Sequence, residues 1–280
     1  MVRLFVPSDL HLLVDARGDR SAEALAAYVC KAANPKDILI LLGDLGHGDA
    51  GIRRCLALFT GFPGAKLVVA GNHDIWTDPG GNSLAQHRAL GQVFRLYGFQ
   101  PLEEAPTIVN GLAFAGCMGW YDYSFQDPIG IEEQWYRAKT YPGDSRPTWI
   151  DAKQAHWNNM SDSDVVDWQL SCLRRQLESL DSKSEKIVVA MHHVPTKKLL
   201  FHPRCLVPRR WRFLNAFLGS VRFEQLLREY ASKIAAVFCG HIHLARDVRD
   251  HGVRYVSLGG DYRTKQLVIW EGGQVTRKKF

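Results

Sequence analysis

Leu67-Val68-Val69-Ala70-Gly71-Asn72-His73-Asp74 is the stretch from which the rest of the chain is read. Its four apolar residues, two of them β-branched, match a short buried strand. Gly71 breaks the run, and three residues able to bind metal or move protons follow at once. The C-terminal edge of an α/β sheet is where such proteins place their sites. Four other stretches repeat the plan. Leu4-Phe5-Val6 leads to Asp9-Leu10-His11, and residues 37–42 lead to Gly43-Asp44. Residues 186–191 lead to His192-His193, and residues 234–239 to Gly240-His241-Ile242-His243. Asp9 and His11 are two apart, so in extended chain they face the same side.

Helical patterns lie between these strands, at residues 21–32, 51–59, 83–97, 161–180 and 221–230. Ser21 is a plausible N-cap for the first, and Gly98 a stop for the third. Alternating strands and helices predict a largely parallel sheet in the N-terminal half. Residues 107–110 and 112–117 read as a hairpin turned at Asn110-Gly111. Short strands at 245–248, 253–257, 266–270 and 275–278 finish the chain. Two long stretches fit neither period. Residues 120–157 are crowded with aromatic side chains, which argues against disorder. Residues 195–220 are basic, with Lys197, Lys198, Arg204, Arg209, Arg210 and Arg212.

The 280 residues are 46% hydrophobic and 23% charged, an ordinary globular composition. The net charge of +6 suits an anionic substrate such as a phosphate ester, and serves equally as a solubility setting. Six scattered cysteines without a CxxC pair read as buried thiols in a reducing compartment. The N-terminus enters a strand without the apolar region of a signal peptide, and no run reaches membrane-spanning length. A cytoplasmic protein is the expectation.

Asp9, His11, Asp44, Asn72, His192, His241 and His243 offer carboxylate oxygens, one amide oxygen and imidazole nitrogens. That mixture suits manganese, iron, zinc, nickel or cobalt better than calcium. The absence of thiolates from the set argues against a structural zinc site. Two metals close together need a shared carboxylate, and together they activate water and clamp a phosphoryl group for in-line attack. Taken singly, each residue has a plainer reading. Asp9 or Asp44 could cap a helix, His241 and His243 could sit on a surface turn, and His192-His193 could be one core and one exposed histidine. Five such tips in one chain are much harder to dismiss.

In the order Asp9-x-His11, Gly43-Asp44, Gly71-Asn72-His73-Asp74, an isolated His after a strand, and Gly240-His241-x-His243, the chain resembles the calcineurin-like metallophosphoesterase superfamily. The resemblance runs from Asp9 to His243. It implies an α/β fold, a four-layer α/β/β/α sandwich with two mixed sheets and a dimetal site at the strand tips. It implies that Asp9, His11 and His243 bind one metal, that Asn72, His192 and His241 bind the other, and that Asp44 bridges them. The choice of His192 over His193 follows the family habit in His-His-Val-Pro stretches. His73 would stabilise charge or donate a proton to the leaving oxygen, with Asp74 fixing its tautomer. The implied cofactors are two divalent transition metal ions, manganese first. His47 stands where many members carry Asp, is not expected to be a ligand, and either helps orient His73, touches substrate or faces solvent.

The expected function is phosphoester hydrolysis, as a phosphodiesterase or phosphomonoesterase, by in-line attack of a dimetal-bridging hydroxide. The competing readings are a nuclease of the same superfamily, with nucleic acid as partner, and a non-catalytic scaffold. A scaffold predicts gaps among the ligands, and the sequence shows none. The expected organisation is one domain over residues 1–280, with lid insertions at about 118–160 and 195–220. Trp120, Tyr121, Arg209 and Arg210 are the residues expected to reach substrate from those lids. Aromatic residues packed as a satellite core and arginines on solvated surface are the alternative.

Overall fold

A computed structural model describes residues 2–182, 186–201 and 207–280. Strands β1 (Arg3–Pro7), β2 (Ile38–Leu42), β3 (Ala65–Val69) and β4 (Gln100–Pro101) alternate with helices α1 (Ala16–Ala32), α2 (Gly48–Ala57) and α3 (Ser83–Leu96). The hairpin β5 (Thr107–Val109) and β6 (Leu112–Cys117) comes next, then α4 (Glu133–Arg137), α5 (Asp151–Gln154) and the long α6 (Asp162–Asp181). Strand β7 (Ile187–Met191), helices α7 (Arg209–Leu214) and α8 (Val221–Glu229), and strands β8 (Ile234–Cys239), β9 (Arg246–Asp250), β10 (Val253–Ser257), β11 (Gln266–Glu271) and β12 (Gln274–Lys279) complete it.

The strands form two mixed six-stranded sheets, in the orders β12-β11-β1-β2-β3-β4 and β5-β6-β7-β8-β10-β9. Alternation of side chains along each strand explains the layering. Leu4, Val6, Ile40, Leu42, Leu67 and Val69 of the first sheet meet Phe114, Val188, Ala190, Ala236, Phe238 and Val256 of the second in one buried cluster. The intervening residues, such as Phe5, Leu41, Val68, Ala115 and Val189, join the helical cluster that contains Leu25, Ile52, Phe94, Leu173 and Leu227. Because both faces of these strands are buried, their sequences are continuously apolar rather than alternating. The arrangement is the four-layer α/β/β/α sandwich. β1, β2 and β3 are parallel to one another, as are β6, β7, β8 and β10. Their C-terminal ends therefore gather at one edge of each sheet.

Local chemistry explains most element ends. Asn110 and Gly111 carry φ of 51° and 81°, the left-handed pair that a two-residue hairpin requires. Ser161 and Asp164 form a reciprocal capping box at the start of α6. The expected first helix began at residue 21, but α1 begins five residues earlier. Asp15 caps it by accepting from the backbone N–H groups of Arg17 and Gly18. Ser21 instead donates to the Arg263 carbonyl at 2.9 Å.

The two aperiodic stretches pack on each other. Tyr136 stacks on Phe213 at 4.8 Å between ring centroids, and Trp149 on Phe217 at 5.4 Å. Among the described residues, five cysteines are free, and Cys205 lies outside them. No helix among them is long and apolar enough to cross a membrane.

Candidate metal centre

The tips of β1, β2 and β3 meet those of β7 and β8 across the gap between the sheets. Asp9 N–H donates to the Gly43 carbonyl, and His11 N–H to the Asp44 carbonyl at 2.9 Å. His241 N–H crosses to the Asp9 carboxylate at 3.1 Å. Asp9 and His11 are not in extended chain. Their φ values are 54° and 46°, and Asp44, His241 and His243 are likewise left-handed at 53°, 68° and 54°. Asp and His tolerate this region better than most residues, yet each still costs of order 1–3 kcal/mol. Five of the positive-φ residues other than glycine thus gather at this one cluster.

Those side chains present lone pairs to one another. The His192 Nδ1–H donates to the Leu42 carbonyl at 2.7 Å, so its Nε2 carries a lone pair. The His241 Nε2–H donates to the Phe217 carbonyl at 3.2 Å, leaving Nδ1 as the acceptor. The Asn72 Nδ2 donates to Asp151, which turns Oδ1 toward the cluster. The His192 Nε2 then lies 3.0 Å from Asn72 Oδ1, 3.2 Å from His241 Nδ1 and 3.3 Å from Asp44 Oδ1. The ring protons of His192 and His241 are both committed elsewhere, and a cation satisfies all of these atoms together. On the other side His243 Nε2 lies 3.2 Å from Asp9 Oδ1 and 3.4 Å from His11 Nε2, with Asp44 Oδ2 3.7 Å from His11 Nε2. Asp9 with His11 and His243 forms one convergent set of donors, and Asp44 with His192 and His241 another. The chemistry of the donor set fits two divalent ions sharing Asp44.

Electrostatics point the same way. Burial pushes His11, His192 and His241 below the ordinary imidazole range, so each presents a neutral ring. Burial, with the charges of Asp9 and Asp74, pushes Asp44 well above the carboxylate range. Burial also acts to raise Asp9, but His243 beside it, helped by His192 and His11, holds it well below its usual value. Buried carboxyl groups this close together need positive charge among them.

The second histidine of the pair turns away. The His193 Nδ1–H donates to the Met118 carbonyl at 3.1 Å, and its ring lies 5.0 Å from that of Trp120. His73 faces the cluster, with Nε2 3.7 Å from Asp44 Oδ2 and its ring stacked on Trp76 at 3.6 Å. Asp74 does not touch the His73 ring, which corrects the expectation that it fixes the tautomer. Its carboxyl group is buried beneath the loop and accepts from the N–H groups of Asp44, Leu45 and Gly71 at 2.8–2.9 Å. Asp74 therefore shapes the β2 and β3 tips. Burial raises it to about 7, against the pull of those backbone donors.

Several expected substrate contacts stand elsewhere. Trp120 and Tyr121 are fully buried, and their rings stack on each other at 4.6 Å. The Trp120 Nε1–H donates to Asp162, so these two rings are core rather than lid. The Arg209 guanidinium donates to the Ile129 carbonyl, and that of Arg210 pairs with both Asp144 oxygens. Arg212 reaches Asp127. The basic stretch thus staples the two excursions together, and these three side chains do not line the centre. His47 precedes α2 on the exposed surface. Arg204 lies outside the described residues.

Three residues escaped the sequence reading. Asp151 is buried and accepts four hydrogen bonds, from Asn72, Trp76, Tyr121 and Trp149. Its signal was hidden in an aperiodic stretch. Tyr262 lies with its ring 4.5 Å from that of His11 and 5.5 Å from that of His243. It follows β10 and Gly259-Gly260, the same strand–glycine–polar plan as the other tips. The buried Lys265 ties its loop down by donating to the Asp9 carbonyl at 3.0 Å and the Asp261 carbonyl at 2.7 Å.

Close approach of the tips requires glycine. A Cβ at Gly71 would lie 2.2 Å from Asp44 Oδ1 and 2.3 Å from Asp44 N. Gly71→Ala is expected to displace Asp44 and lower metal content by about tenfold in affinity, at the near end of the range for altered ligand orientation. Competitive chelator titration measures this. An unchanged affinity would show that the loop absorbs the methyl group elsewhere.

The sequence profile of the calcineurin-like phosphoesterases matches residues 2–245. Among solved structures, the chain is similar to the phosphopantetheinyl hydrolase PptH from Mycobacterium tuberculosis, at 22% identity and a TM-score of 0.68, over 92% of this chain and 89% of that one. A putative 5'-nucleotidase from Staphylococcus aureus is similar at 12% identity and a TM-score of 0.52, over 99% of this chain and 52% of that one. GAP50, the anchor in the inner membrane complex of Plasmodium, is similar at 10% and 0.50, over 99% and 84%. No curated protein matches. The profile match over most of the length, on a fold shared with these structures, establishes that the chain belongs to the calcineurin-like phosphoesterase family.

Proposed function

We propose that this phosphoesterase acts through two divalent metal ions, held by Asp9, His11 and His243 on one side and by Asn72, His192 and His241 on the other, with Asp44 between them. The observation that carries the proposal is the convergence of imidazole, amide and carboxyl lone pairs whose ring and amide hydrogens all point elsewhere. The mixture of imidazole nitrogens and oxygens suits manganese, with iron, zinc, nickel or cobalt able to take its place. Two such ions, when bound, supply an activated water at neutral pH and neutralise charge on an in-line phosphoryl transition state.

The chain's own groups do the rest. His73 stands on the partly open side, and Trp76 fixes the plane of its ring. Burial, then the neighbouring imidazoles, pushes it well below the ordinary range, so it is a neutral ring whose N–H can stabilise charge developing on the leaving oxygen by a hydrogen bond. The stretches 118–160 and 195–220 act as insertions of one catalytic domain, and among their described residues Trp149, Ile150, Phe201 and Trp211 stand beside the centre. The similarity to a phosphopantetheinyl hydrolase and a 5'-nucleotidase supports phosphoester chemistry of this type. Arg209, Arg210 and Arg212, three of the basic residues that kept a nuclease in view, are engaged by protein partners.

The test is elemental analysis of manganese-loaded protein together with a panel of aryl phosphomonoesters and phosphodiesters. About two ions per chain and metal-dependent hydrolysis are expected. A folded protein that takes up no transition metal under any loading condition would refute the reading. His73→Ala is expected to lower turnover on the order of a hundredfold with metal content unchanged. Loss of metal alongside activity would instead make His73 a ligand.

A further inference from the structure

A cavity of about 520 Å³ opens above the centre. That volume is typical of a small-molecule site and gives far more room than a phosphate group fills. Its floor is polar, from Asp44, Asn72, His73, His241 and His243. Its walls are not. Trp149, Ile150, Phe201, Trp211, Leu214 and Leu218 face it from the two excursions, and Tyr262 closes the side next to His11. Among the described residues, no lysine or arginine lines it.

The walls are held in place without a ligand. Trp149 is fixed by its Nε1–H to Asp151 at 2.7 Å and by its stack on Phe217. Trp211 is carried by α7, which Arg209, Arg210 and Arg212 fasten to the first excursion. Its ring meets Phe201 edge-on at 5.5 Å. Yet Trp211 and Ile150 remain 49% and 44% exposed. Large apolar side chains left open beside a charged centre mark a surface meant to be covered. Continuity with the polar floor says by what: a molecule whose anionic end reaches the metals and whose neutral end lies on the walls.

On the basis of the metal-dependent reading above, we propose that the substrate is a phosphoester carrying a bulky, uncharged aromatic or alkyl group, seated between Trp149, Trp211 and Tyr262. A polyphosphate or a nucleic-acid strand would bring further anions to walls that offer them no described cation.

Binding and hydrolysis separate this inference from the reading beneath it. Calorimetry on manganese-loaded protein would compare methylphosphonate with 1-naphthylphosphonate, alongside hydrolysis of p-nitrophenyl phosphate and of methyl and naphthyl p-nitrophenyl phosphodiesters. Burial of the naphthyl ring is expected to tighten binding by about tenfold or more over the methyl compound. Trp211→Ala and Ile150→Ala, both at half-exposed positions that folding tolerates, are expected to shrink that difference while leaving methylphosphonate affinity unchanged. Equal affinities, or a difference that survives both substitutions, would overturn the apolar subsite while ester hydrolysis leaves the phosphoesterase reading standing. Failure to bind either phosphonate, with no ester hydrolysed, would overturn both.

Discussion

Asp44→Ala is expected to remove both metal ions at once and to lower turnover on the order of a thousandfold or more, the scale of several kcal/mol that metal ions supply to a transition state. Among the described residues, Asp44 is the carboxyl group whose two oxygens face opposite halves of the cluster, Oδ1 toward His192 and Oδ2 toward His11 and His73. Asp9→Ala, by contrast, is expected to empty one half first. Elemental analysis on well-folded protein separates the outcomes. One tightly held ion in Asp44→Ala, with turnover near normal, would end its role as a bridge.

The same residue carries a stability prediction of opposite sign. Burial and the charges of Asp9 and Asp74 raise the folded Asp44 carboxyl well above the 3.8 it has in an open chain. The folded, metal-free state therefore holds a proton that the unfolded chain releases, and stability from this group falls as pH rises past 3.8. Asp44→Asn removes that liability. Metal-free Asp44→Asn is expected to melt higher than the metal-free native chain near neutral pH, with the difference vanishing in acid. Saturating metal should reverse the order. A metal-free variant that melts lower at neutral pH would show that the carboxylate is already compensated.

Asp151→Ala is expected to destabilise the fold by about 3–5 kcal/mol, because four donors, two buried and two part-buried, lose a buried acceptor together. The donors are Asn72 Nδ2, Trp76 Nε1, Tyr121 OH and Trp149 Nε1, at 2.7–3.1 Å. A purely structural role would stop there. Asp151 also sets which end of the Asn72 amide faces the cluster, so metal affinity is expected to fall 10–100-fold at that half of the centre. Asp151→Asn keeps the shape and one acceptor oxygen and should recover part of both losses. Calorimetric titration with manganese reads the second effect apart from the melting curve. Reduced stability with both affinities intact would confine Asp151 to packing.

Much of this architecture was written locally. Fully apolar, β-branched-rich short runs such as Ile38–Leu42 and Ile187–Met191 read as strands covered on both faces, and the hairpin at Asn110-Gly111 follows from two residues that accept positive φ. The tips that bring His, Asp or Asn to the end of an apolar strand were legible because each is a contiguous pattern of residue types. Tyr262 obeys the same pattern, hidden by its distance from the other tips.

What tertiary structure alone decided was orientation and partnership. Asp9 and His11 lie on one side because both turn left-handed, not because the chain is extended. His192 rather than His193 faces the centre because the carbonyls of Leu42 and Met118 each hold one ring. Trp120 and Tyr121 sank into the core, Arg209 and Arg210 found protein partners, and Asp151 came to Asn72 from 79 positions away. A residue's type limits the bonds it can make, and sequence patterns record that limit. Which buried donor meets which acceptor is settled only when packing brings distant segments together, and no local period carries that information.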